Sequence, residues 1–97
     1  SMSTHTPGPW HFEWDDSEYY VTPSEDKSVG IATVMPIDRG GDKDYFYGAM
    51  TDANARLLAT APELLAVAKH AQEWTDPESV LGIRLAEVIA KATGQPV

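Results

Sequence analysis

The chain has 97 residues, no cysteine, 42% hydrophobic residues, and a formal charge of −8 from fifteen acidic and seven basic side chains. That length suits one domain, residues 1–97, with a modest core, and the composition is that of a folded chain rather than a disordered acidic tail. Disulfide and thiolate chemistry are excluded, and the acidity opposes the phosphate attraction on which nonspecific nucleic-acid binders depend.

Residues 1–8 read as a flexible arm: Pro7, Gly8 and Pro9 suit an extended lead-in, and Ser1 ahead of Met2 reads as the remnant of an expression tag. From Trp10 the aromatics fall at every second position, Trp10, Phe12 and Trp14. His11, Glu13 and Asp15 lie opposite, which is the period of a half-buried strand. Asp15-Asp16-Ser17 fits a turn, and Tyr19, Tyr20, Val21 and Thr22 form a second strand that Pro23 and the polar 24–28 segment stop. The alternation from Val29 to Ile37 predicts a third strand that ends near Pro36. The loop 38–44 carries adjacent glycines and no apolar anchor, so it is expected to be exposed. Tyr45-Phe46-Tyr47 is either a fourth strand or the lead-in to a helix.

The β-rich half, 9–50, then gives way to a helical half, 51–94. Thr51 or Asp52 can cap a helix from Ala53, and Leu57, Ala61, Leu64, Leu65, Ala68 and Ala71 recur at helical spacing as its expected buried stripe. Pro62 predicts a kink or a break, since Thr60 and Glu63 match a capping box that can start a new helix. Thr75-Asp76-Pro77-Glu78 opens a last helix with the stripe Leu81, Leu85, Val88, Ile89 and Ala92, ended by Gly94 and Pro96. The expected fold class is α+β. An antiparallel meander of three to four strands is followed by a kinked or broken helix and a second helix, forming an antiparallel hairpin on the sheet. The longest apolar stretch is too short to span a bilayer, and no signal-peptide pattern precedes it.

No residues at the required spacing form a nucleophile motif, a P-loop or a dinucleotide fingerprint. His11 and Asp15 would share a strand side but stand about 13 Å apart at roughly 3.3 Å per residue, too far to share one metal. His70 reads as an ordinary surface histidine. No catalytic residue, metal or cofactor is therefore expected. Two binding readings remain. Arg39 and Lys43 flank flexible glycines and precede Tyr45 and Tyr47, offering charge and stacking to a small anionic ligand such as a signalling nucleotide. Nine aromatics also exceed what one small sheet face hides, which marks Trp14, Tyr19, Tyr20, Tyr45 and Tyr47 for a partner interface or a homo-oligomer. The charge favours encounter with a basic protein surface, and mimicry of DNA by arrayed carboxylates is a third reading.

The opening His5-Thr6-Pro7-Gly8-Pro9-Trp10 and the run Ala53-Asn54-Ala55-Arg56-Leu57-Leu58-Ala59-Thr60-Ala61-Pro62-Glu63-Leu64-Leu65 together resemble a widespread group of small bacteriophage and prophage proteins. These pair a Thr-Pro-Gly-Pro-Trp start with an Asn-Ala-Arg-Leu-x-Ala-x-Ala-Pro-Glu-Leu-Leu helix around a variable β-rich middle. The resemblance covers about twenty residues and implies viral origin and the host bacterial cytoplasm, with no catalytic residue to carry over. By analogy with other small phage accessory proteins, it implies non-enzymatic binding of a host protein or defence component. The acidity argues against direct nucleic-acid contact, and the short apolar stretches argue against a membrane.

Overall fold

A computed structural model describes residues 4–14, 18–35 and 49–95. The aromatic alternation becomes strand β1 (Trp10–Trp14), which pairs antiparallel with β2 (Tyr19–Pro23), and β2 pairs antiparallel with β3 (Ala32–Val34). The order β1-β2-β3 is the expected meander. The register sets Trp10 opposite Pro23, Phe12 opposite Val21, Trp14 opposite Tyr19, and Val21 opposite Ala32. Because side chains alternate, one face gathers the aromatics with Val21 and Val34 while His11, Glu13, Tyr20, Thr22 and Thr33 share the other.

Helix α1 (Ala49–Ala59) lies against all three strands. Its inward positions are Thr51, Ala55 and Ala59, four residues apart, and all three are buried. Ala55 and Ala59 join Val21 and Val34 in a core that Trp10, Phe12, Tyr19, Ile31 and Ala32 enclose. Small side chains let the helix backbone approach the sheet, and the large aromatics fill the flanks.

The structure corrects several expectations. The third strand is shorter than 29–37, because the Asp26 carboxylate accepts from Ser28 N–H at 3.0 Å and Ser28 Oγ at 2.6 Å, and Val29 N–H donates to the Asp26 carbonyl at 3.3 Å. That turn takes Val29 and Gly30 out of the ladder. The first helix starts at Ala49, so Thr51 and Asp52 lie inside it and do not cap it. Leu57 and Leu64, expected in the buried stripe, are exposed. At Pro62 the helix breaks: Thr60 separates α1 from α2 (Ala61–Glu73), and Pro62 occupies the first turn of α2, where its missing N–H costs little.

The described chain divides into two compact units, Pro7–Pro62 and the described residues of Ser1–Thr6 with Glu63–Val97. The second contains α2 after Pro62 and helix α3 (Val80–Thr93). Between them Trp74 N–H and Thr75 N–H donate back to Ala71 and Gln72, and Glu78 N–H donates to the Asp76 carboxylate at 2.9 Å. The expected start at Thr75 or Asp76 is therefore a turn, and Ser79 is the cap. Its backbone is extended (ψ 161), and its hydroxyl accepts from Gly82 N–H at 3.0 Å while donating to the Asp76 carbonyl at 2.6 Å. Gly94 ends the helix with φ 73, the left-handed conformation glycine adopts freely, as the sequence predicts. Only Gly82 and Ala90 of α3 are buried. Leu85 and Ile89 are half-buried, whereas Leu81 and Val88 of the expected stripe are exposed.

Candidate functional site

Two places in the fold gather side chains in arrangements worth a chemical reading. The first lies where α1 meets the sheet. Tyr19 Oη donates to Asp52 Oδ2 at 3.3 Å, and Arg56 Nε donates to Asp52 Oδ1 at 2.5 Å from one helical turn away. The Arg56 guanidinium also sits 5.1 Å from the Phe12 ring centre, while Tyr19 packs against Phe12 at 6.1 Å and Trp14 at 5.0 Å between centroids. Loss of solvation, and after it the Asp52 carboxylate, hold the Tyr19 phenol above its ordinary pKa. Each Asp52 carboxylate oxygen has a donor, and a phenol with a raised pKa is a poor nucleophile at neutral pH. The cluster clamps helix to sheet instead of activating a group for attack.

Beside it, the two distant sequence motifs meet. A Cβ added at Gly8 would stand 2.9 Å from Pro62 Cβ and 3.2 Å from Pro62 Cγ, so the backbone at Gly8 rests on the proline ring at a distance only glycine permits. The Thr-Pro-Gly-Pro-Trp opening thus closes onto the Ala-Pro-Glu-Leu-Leu segment, and Arg56 of the same helical motif covers Phe12. These motif residues shape the first unit.

The second place is the surface of the helical unit. Trp74, directly after α2, is 81% exposed; its ring lies 6.5 Å from that of His70, and Glu73, Asp76 and Glu78 neighbour it in sequence. On α3, Leu81 (58% exposed), Leu85 and Val88 (52%) line a shallow apolar face bordered by Arg84, Glu87 and Lys91. Nothing in the periodicity singled out Trp74, which falls in a turn. A large aromatic beside the Thr-Asp-Pro turn residues was the available signal.

Of the residues predicted to form an interface, Trp14 is 43% exposed, Tyr19 is half-buried with its hydroxyl on Asp52, and Tyr20 falls on the opposite sheet face by alternation. The structure therefore brings Trp14 and Tyr19 together and places Tyr20 apart. The ligand-binding residues Arg39, Lys43, Tyr45 and Tyr47 lie outside the described residues. So do the 15–17 turn, Pro36, the 38–44 loop, the 45–47 alternative and Pro96. On the outer sheet face His11 Nε2 and Glu13 Oε2 are 3.5 Å apart, and Thr22 Oγ1 is buried without a hydrogen-bond partner. Among the described residues no group of three or more His, Cys, Asp or Glu side chains is gathered to hold a metal, and no helix is long and apolar enough to cross a membrane.

The family model described as Salmonella phage P22 protein Y8K6 matches residues 2–96. The chain belongs to that family. Membership in the P22 Y8K6 family makes this a phage protein, in agreement with the resemblance carried by its two motifs. No curated protein and no solved structure matches the chain.

Proposed function

We propose that this member of the P22 Y8K6 family is a non-enzymatic phage accessory protein that binds a basic face of a host protein in the bacterial cytoplasm. The observation that supports this reading is Trp74, a tryptophan 81% exposed in a turn flanked by Glu73, Asp76 and Glu78. Tryptophan is prominent among residues that carry binding energy at interfaces, and surrounding carboxylates steer a partner of opposite charge. The net charge of −8 extends that steering over the whole surface. Trp14, also exposed, offers a second aromatic contact.

The test is capture from host lysate on immobilised wild type, Trp74→Ser and Trp14→Ser, at low and high salt, with mass spectrometry of what is retained. A protein retained by the wild type, lost on Trp74→Ser and weakened by salt is the expected result. Equal retention of the same proteins by wild type and Trp74→Ser would overturn the reading.

A further inference from the structure

We infer that His11 Nε2 and Glu13 Oε2, on the outer face of the sheet, chelate a zinc ion, and that Thr22 holds the His11 ring for it. His11 and Glu13 stand two residues apart on β1, so alternation sends both side chains to one face from a backbone that pairing with β2 fixes. Their donor atoms are 3.5 Å apart. That is wider than an N–H···O hydrogen bond, roughly 2.7–3.2 Å. It is the separation a tetrahedral zinc imposes, because donors about 2.0–2.2 Å from the ion stand roughly 3.3–3.5 Å from each other. Imidazole nitrogen with carboxylate oxygen is a donor set that zinc accepts, both side chains reach solvent, and the net charge of −8 favours a cation.

A second observation on the same face points to the same ligand. Thr22 is 5% exposed, and its Oγ1 is buried with no hydrogen-bond partner, an arrangement that costs stability. The register sets Thr22 opposite His11, where facing Cβ atoms are about 4.5–5.5 Å apart. A histidine that gives Nε2 to a metal carries its proton on Nδ1 and needs an acceptor there. Thr22 Oγ1 is an unused acceptor across the ladder from that ring. With zinc on Nε2, His11 Nδ1–H donates to Thr22 Oγ1, which fixes the tautomer and the ring. Thr22 is thus a positioning residue that touches no metal.

Two protein donors leave two positions on zinc for water, so the site is weaker than a structural site with four protein ligands. It is independent of what Trp74 engages. Zinc chloride is titrated into the untagged full chain by calorimetry, with the histidine ring resonances followed by NMR. One zinc per chain is expected, with Kd between about 1 µM and 1 mM, and with His11 signals moving before those of His5 and His70. His11→Gln and Glu13→Gln, both at solvent-reached positions, should each raise Kd at least about tenfold, whereas the double variant His5→Gln with His70→Gln should bind as the wild type does. Thr22→Val separates positioning from folding. Without zinc it should be as stable as the wild type or more so, since an unpaired hydroxyl is removed, yet its Kd for zinc should rise about tenfold or more. Circular dichroism checks that each variant stays folded. The inference is overturned if the wild type takes up no zinc below about 1 mM, or if His11→Gln, Glu13→Gln or Thr22→Val binds zinc as tightly as the wild type.

Discussion

Gly82→Ala sets local helix preference against packing. Gly82 sits in the first turn of α3, where alanine would favour the helix by at most about 1 kcal/mol. A Cβ at that position, however, would overlap the Asp76 carbonyl oxygen and stand 2.9 Å from both the Asp76 carbonyl carbon and Pro77 Cα. All are backbone atoms of a turn that Ser79 and the Asp76 carboxylate hold in place, so no flexible side chain can swing aside. Overpacking costs about 1–3 kcal/mol, and an overlap with fixed backbone atoms belongs in its upper part, about 2–3 kcal/mol, which leaves a net loss of about 1–2 kcal/mol after the propensity gain. For a chain of this size that corresponds to roughly 5–15 °C in melting temperature. Thermal and urea unfolding followed by far-ultraviolet circular dichroism measures it. Gly30→Ala is the control: nothing lies within 4 Å of a Cβ there, and a change within about 0.5 kcal/mol is expected. Gly82→Ala as stable as the wild type, or more so, would show that the turn does not confine this position.

Ser79→Ala removes both the acceptor for Gly82 N–H and the hydroxyl on Asp76, and should cost about 1 kcal/mol in urea unfolding. Gly8→Ala drives a methyl group into the Pro62 ring and should destabilise the first unit by about 1 kcal/mol or more, read from tryptophan fluorescence during unfolding. The pH dependence of Tyr19 has a definite sign. Its phenol is held above the ordinary value of 10.0, so the contribution to stability is complete below about pH 10 and is lost as the pH rises through the folded-state value. Tyr19→Phe should flatten the stability profile at high pH and remove one late-ionising phenol from an ultraviolet titration. A late phenol that persists in Tyr19→Phe would point to another tyrosine.

The sequence disclosed most where one physical effect acts alone. Trp10, Phe12 and Trp14 alternate with polar residues, and no competing pattern disturbs β1. Gly94 marks a helix end because few other residues adopt a left-handed backbone readily. The misreadings arise where tertiary demands select against hydrophobicity. Leu57 ranks above Ala55 and Ala59 on any transfer scale, yet close approach to the sheet puts the small residues inside. On β3, Ala32 and Val34 share the face of Val21 and Tyr19, so Thr33 turns outward, a choice made by register with β2 and invisible within the strand. Trp74 escaped because periodicity describes helices and strands, and this residue belongs to a turn.

The contact of Gly8 with Pro62 has a topological consequence. The first unit runs from Pro7 to Pro62, and its entry and exit are locked together at that contact, as a ring is closed by its clasp. Once the clasp is made, each doubling of a connecting loop inside the ring costs only about 0.6 kcal/mol of closure entropy. Such a design lets the interior lengthen, shorten and diversify while the clasp residues stay under strict steric control.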